Sequence, residues 1–195
     1  MRLPALLSLV ALLAACSQPV TGADWRLDSE ASHLGFVSIK SGDVAEAHHF
    51  TGLRGSVDGQ GRAELVIDLD TVATGIDIRN ERMREHFFET GEFPQARITT
   101  TLDLAALADL DIGERRPLTL EAVIDLHGAS ANIQADVMVT DIDGHNVLVE
   151  SHGPVLLHTA DFGLTDGLAT LQDLAGLPSI TPVTPVTFSL VFTRG

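Results

Sequence analysis

The chain has no tyrosine, one tryptophan and one cysteine among 195 residues, and Lys40 is its only lysine. Each shortage excludes something. With Cys16 spent near the terminus, no second thiol remains for an intrachain disulfide, so the fold must rest on packing and hydrogen bonds. The 12 Lys and Arg residues face 27 Asp and Glu residues, and they form no basic stripe. Nucleic-acid binding needs clustered cations and is not expected, nor is attraction of the chain to anionic headgroups. Without Tyr and with eight Phe, an interior would hold few polar groups to orient a ligand. Long helical periodicity, internal repeats and low-complexity blocks are absent too. The apolar run Leu6 to Leu13 is too short to span a bilayer.

What the chain does have is alternation. Leu118, Leu120, Ala122, Ile124 and Leu126 alternate with Thr119, Glu121, Val123, Asp125 and His127; Ala131, Ile133, Ala135, Val137 and Val139 repeat the pattern. A period of two puts each apolar set on one face of a strand. Strands are expected at 33–40, 48–58, 62–70, 95–103, 117–127, 131–141, 146–158 and 184–193. Eight strands joined mostly by short turns predict an all-β fold, an eight-stranded antiparallel barrel, with a sandwich as the alternative. Two short helices interrupt the pattern, at about 79–88 and 167–175. Asp166 is the expected N-cap of the second and Gly176 its stop. The connection that carries it is long enough for a lid, or for a plug over the barrel end.

The N-terminus reads as an export signal: Arg2, then the apolar run, then Leu13-Ala14-Ala15-Cys16. The ending resembles a bacterial lipoprotein box, with Cys16 as the lipidated first residue; an ordinary signal peptide with a chance cysteine is the alternative. Residues 1–15 are then the signal peptide, 16–24 the lipidated terminus and tether, and 25–195 the barrel domain. Ser17, rather than Asp, resembles outer-membrane sorting, on the periplasmic side of the envelope. Membrane association is thus expected through an N-terminal lipid anchor.

Whether the barrel is hollow decides what it can do. Reading 127–130 as a four-residue loop pairs Leu126 with Ala131, Ile124 with Ile133, Ala122 with Ala135, and Leu120 with Val137. Two alanines would then face each other on the inner wall and leave room. Alternation alone keeps a barrel filled by its own phenylalanines as the default. If the interior is vacant, an elongated apolar guest fits it, held by contact area. The expected wall is Leu65, Ile67, Ile98, Leu120, Ala122, Ile124, Ile133, Ala135, Val137, Phe188 and Leu190, with Phe87, Phe88, Phe93 and Phe162 near the mouth or the helix packing.

The stretch Thr74-Gly75-Ile76-Asp77-Ile78-Arg79-Asn80-Glu81-Arg82-Met83, followed by Phe87-Phe88-Glu89 and Phe93-Pro94, resembles the signature of the YceI-like family. Trp25-Arg26-Leu27-Asp28 with Ser32, Leu34 and Phe36, Leu118-Thr119-Leu120 with His127-Gly128, and Asp161-Phe162-Gly163 agree with it. The resemblance implies a lipocalin-like barrel, often exported, that binds, stores or transports a polyisoprenoid, an isoprenoid quinone or a similar long-chain amphiphile, with no cofactor and no established catalytic site. Within it, Phe87 and Phe162 join the ligand-binding set, and Arg79 pins its loop to the barrel. Ala31 stands where the family usually has His, and Asn80 where it has Asp.

Other chemistry is weakly supported. His33, His48, His49, His86, His127, His145, His152 and His158 show no metal-ligand spacing, so no metal site is expected. No Gly-x-Ser-x-Gly elbow supports a Ser-His-Asp site. Arg79, Arg82 and Arg84 could meet a headgroup at the mouth, or pair with Glu81 and Glu85. The competing readings are a metal-assisted periplasmic hydrolase and a structural lipoprotein without ligand. The oligomeric state stays open, a homodimer included.

Overall fold

A computed structural model describes residues 23–195; the leader, Cys16 and most of the expected tether lie outside the described residues. The strands are β1 (Ala23–Lys40), β2 (Val44–Phe50), β3 (Leu53–Asp58), β4 (Arg62–Asp68), β5 (Val72–Ala73), β6 (Gln95–Thr101), β7 (Arg115–Leu126), β8 (Ala129–Asp141), β9 (Asn146–Ser151), β10 (Val155–His158) and β11 (Val183–Arg194). Two helices interrupt them: α1 (Asp77–Arg82), which runs into a π-helical turn at Met83–Phe87, and α2 (Thr165–Ala175).

The order β11-β9-β8-β7-β6-β4-β3-β1 closes on itself through β1–β11 pairing, so eight strands form a closed antiparallel barrel. The expected barrel is therefore present, and the sandwich is not. Two expected strands are each split. The 48–58 strand breaks at Thr51-Gly52, where Asp68 N–H bonds the Gly52 carbonyl (2.8 Å) and Gly52 N–H bonds Thr71 Oγ1 (2.8 Å). The 146–158 strand breaks before Pro154, which has no N–H for a ladder. β2 and β10 continue past these breaks, paired with β1 and β11.

β1 begins ten residues earlier than the alternation showed, at Ala23 rather than 33. A polar bulge hides the continuity. Asp28 Oδ1 accepts from the Glu30 and Ala31 amides, and Ser32 Oγ donates to the Asp28 carbonyl and accepts from Val191 N–H. The ladder to β11 therefore jumps from Asp28–Val191 to His33–Ser189.

The β7–β8 register differs from the expected one. Leu126 pairs with Ala129, Ile124 with Ala131, Ala122 with Ile133, Leu120 with Ala135 and Leu118 with Val137. The connection is a two-residue turn, His127-Gly128, with φ of 52° and 74°. Consecutive positive φ values are what a tight hairpin matched to strand twist requires. The ladder slides by two residues, so each side chain keeps its face but Ala122 and Ala135 lie diagonally rather than opposite. At the other end of the molecule, Gly61 (φ 79°) closes the β3–β4 hairpin. A Cβ there would sit 2.2 Å from the Leu102 carbonyl oxygen. Gly61→Ala is expected to cost more than about 1 kcal/mol in urea unfolding. A loss below about 0.5 kcal/mol, the range of ordinary surface changes, would contradict that reading.

Candidate functional site

Inward parity on the barrel strands produces a hollow rather than a filled core. The cavity measures about 880 Å³. Leu65 and Ile67 reach it from β4, Ile98 from β6, Leu120, Ala122 and Ile124 from β7, Ile133, Ala135 and Val137 from β8, and Phe188 and Leu190 from β11. Leu65, Ile98, Leu120, Ile133 and Phe188 are only half-buried although they point inward. An inner-wall residue that keeps exposed surface is facing unfilled space.

One end is shut. Leu69, Phe88, Phe162 and Leu164 are between 1% and 5% exposed there. Phe87 meets Phe88 edge-on at 4.8 Å. α2 lies against the π-helical turn, where Gly167 sits close to the His86 carbonyl and Phe87. The wall beside this end has a seam: β8 pairs with β9 only over Val137–Asp141, while β10 pairs with β11 alone. Phe162 and Leu164 pack there against Ile124, Ala131, Ile133 and Leu157. Phe162 comes from the helical turn Thr159–Phe162, which Gly163 ends in the left-handed region.

The opposite end is open. The cavity reaches exposed Ala108, Gly144, Arg194 and Gly195, with half-buried Leu102, Leu104, Leu107 and Leu110 around it. Two open alternatives are thereby decided. Phe87, Phe88 and Phe162 lie at the helix packing of the sealed end rather than at the mouth, and the connection carrying α2 is a plug rather than a lid. Leu104, Leu107 and Leu110 were missed because 103–114 matches neither strand alternation nor a long helix. The only signals were the three-residue spacing Leu104, Leu107, Leu110 and Asp103, whose carboxylate caps the turn through Ala105 N–H (3.0 Å). In α2 the residue before the first turn is Leu164, and Asp166 lies inside the helix rather than capping it.

The arginines expected near a mouth are tied down at the sealed end. Arg79 donates to Glu46 Oε2 (2.8 Å) and to the Thr74 carbonyl (2.5 Å). Asn80, in place of the family's Asp, accepts from Thr74 N–H (2.9 Å) and Thr74 Oγ1 (2.6 Å), so the neutral amide still fastens the loop. Arg82 bonds the Leu174 carbonyl. Lys40 joins Arg79 on Glu46 (2.6 Å), and the Lys40 hydrogen bond is the main reason the Glu46 carboxyl is held below its usual range.

His48 is buried beside this cluster, against Phe36 (5.1 Å), with Nε2 2.8 Å from Ser38 Oγ. Burial, helped by the Arg79 charge, pushes its pKa down to about 4. The unfolded chain takes up that proton near pH 6.5. Stability supplied by neutral His48 is thus complete above about pH 6.5 and is lost as pH falls towards 4, by up to about 3 kcal/mol. Unfolding free energies of wild type and His48→Gln are expected to converge on acidification over that window. Parallel curves would show that His48 is not held neutral.

Among the described residues, no three His, Cys, Asp or Glu side chains are gathered as a metal site requires. His158 and Asp141 both touch the cavity, but from opposite ends. Glu64, also at the cavity, is paired with Arg97.

A family model, the YceI-like domain, matches residues 25–192. No curated protein matches the chain. Among solved structures, it is similar to a polyisoprenoid binding domain from Saccharophagus degradans implicated in plant cell wall breakdown, with 40% identity and a TM-score of 0.87, over 89% of this chain and 99% of that one. BcnA of Burkholderia cenocepacia shares the fold at 17% identity and a TM-score of 0.66, over 85% of this chain and 98% of that one. The YCEI protein of Campylobacter jejuni shares it at 11% identity and a TM-score of 0.56, over 76% and 84%.

Proposed function

The chain belongs to the YceI-like family, and from that premise we propose that it binds, stores or transports one long-chain isoprenoid lipid, a polyisoprenoid or an isoprenoid quinone, inside its barrel. The observation that carries this reading is the vacant apolar cavity with one open end. Its 880 Å³ lies within the range of about 300–1,000 Å³ typical of ligand sites. The wall offers aliphatic and phenyl surface and few hydrogen-bonding groups. Each buried methylene of a guest contributes about 0.8 kcal/mol, so a tail needs no directional bonds to be held. The 40%-identical domain, itself polyisoprenoid-binding, supports the same ligand class.

The protein acts by binding rather than by catalysis, in this reading. A hydrolase would need an acid and a base at one point, and the cavity-lining residues His158 and Asp141 lie at opposite ends. The Leu13-Ala14-Ala15-Cys16 leader supports export and acylation at Cys16, which would hold the barrel on the periplasmic side of the outer membrane. Native mass spectrometry of protein recovered from its own envelope tests the central claim. An added mass that extracts as an isoprenoid is the expected result. Protein that emerges ligand-free, and takes up no isoprenoid quinone from detergent, would end the proposal.

A further inference from the structure

We propose that the open end of the barrel docks directly on the lipid surface that holds the N-terminal anchor, so that ligand passes between bilayer and cavity without crossing water. This rests on the acylation of Cys16 proposed above. Three features of the structure lead to it. First, β1 starts at Ala23, where Ala23 pairs with Asp58 and Trp25 with Arg194, so the chain enters the barrel at the mouth. Cys16 precedes Ala23 by seven residues, which reach about 25 Å when fully extended. The twelve residues of β7, tilted as barrel strands are, rise by about 30 Å. A chain fixed at Cys16 therefore cannot lie along the barrel and set the sealed end on the same membrane with the mouth facing away.

Second, the rim carries exposed apolar tips. Ile112 is 68% exposed and Ile142 44%. The two turns that bear them are joined by Gly113 N–H to the Asp141 carbonyl (2.7 Å), and Ile112 lies over Gly144. Third, this apolar edge is continuous with the cavity, through Leu107, Leu110 and Gly144. The rim also bears Asp103, Asp109, Asp111, Glu114 and Asp143 against Arg115, Arg116 and Arg194, with Arg116 paired to Asp109 and Glu114, so its balance is acidic and it suits a surface without net negative charge, such as phosphatidylethanolamine with phosphatidylcholine. Exposed Ile76 and Ile78 at the sealed end form a rival apolar patch, which the tether cannot bring to the membrane.

The test uses the full chain, expressed with its leader and reconstituted in phosphatidylcholine–phosphatidylethanolamine vesicles containing a lipid-borne quencher. Mass spectrometry first establishes whether Cys16 is acylated. Acylation leaves the protein without a free thiol, so Ile112→Cys and Ile78→Cys can each be labelled singly with a fluorophore. The label at position 112 should be strongly quenched and that at 78 unaffected. Extending the tether fourfold with Gly-Ser residues should lower the effective concentration of the mouth at the bilayer by roughly eightfold, and quenching should fall with it. Acylated protein whose label at 112 is quenched no more than that at 78 overturns the docking and leaves the anchor intact. An unmodified Cys16 overturns both, while co-purified lipid reports on ligand binding independently of either.

Discussion

Ala122→Phe combined with Ala135→Phe will empty the barrel of ligand and leave it folded. Both alanines point inward at the middle of the wall, from β7 and β8. The observed pairing places Ala122 beside Ile133 and Ala135 beside Leu120. The added rings therefore project from staggered positions and cross the cavity at two levels. Filling a packed core this way costs about 1–3 kcal/mol, but here the rings enter vacant space, so the cost falls at the lower end. For a chain of this size that is a drop of a few degrees, at about 2–4 °C per kcal/mol. Ligand occupancy measured by native mass spectrometry should fall at least about tenfold, equivalent to 1.4 kcal/mol. Undiminished lipid in a folded double variant would mean that the tail does not occupy this part of the barrel.

Phe162→Ala is expected to be the most damaging single truncation. Its ring is 2% exposed and stands in the seam between β8 and β10, where no backbone ladder joins the strands. Deleting it removes contacts with Ile124 and Leu164 and leaves a gap next to an existing hollow, with little around it able to collapse inward. Phe-to-Ala changes in cores cost about 3–5 kcal/mol, and this site belongs near the upper value. Urea unfolding checks the figure. A loss under about 1 kcal/mol would show that the seam is closed by other groups.

Much of this was legible from period-two alternation. It placed Leu65, Ile67, Ile124 and Val137 on the inner face, because a register slip of two residues preserves which side each residue faces. It could not set the register itself. That depended on whether His127-Gly128 or a four-residue loop makes the turn, and His-Gly lacks the Asn or Asp that usually marks a tight hairpin. β1 was read short because Asp28 to Ser32 satisfy one another locally and look like a loop. The signature around Thr74 to Pro94 pointed to the family correctly, but it was no guide to the mouth. Its Arg79 fastens α1 to Glu46 on β2 and its Arg82 reaches the Leu174 carbonyl of α2, while the entrance is built from Leu104, Leu107 and Leu110, which carry no motif.

Among the described residues, a hollow open at the end lined by Leu104, Leu107 and Leu110, with a floor of phenylalanine, has a fixed depth. On the proposed function, a guest would come in tail first and stop where its terminal methyl met Phe88 and Phe162, whatever polar group trailed behind. The cavity would then act as a gauge of hydrocarbon length. Tails shorter than the shaft forfeit contact, and longer ones leave their last units standing outside in the membrane or in water.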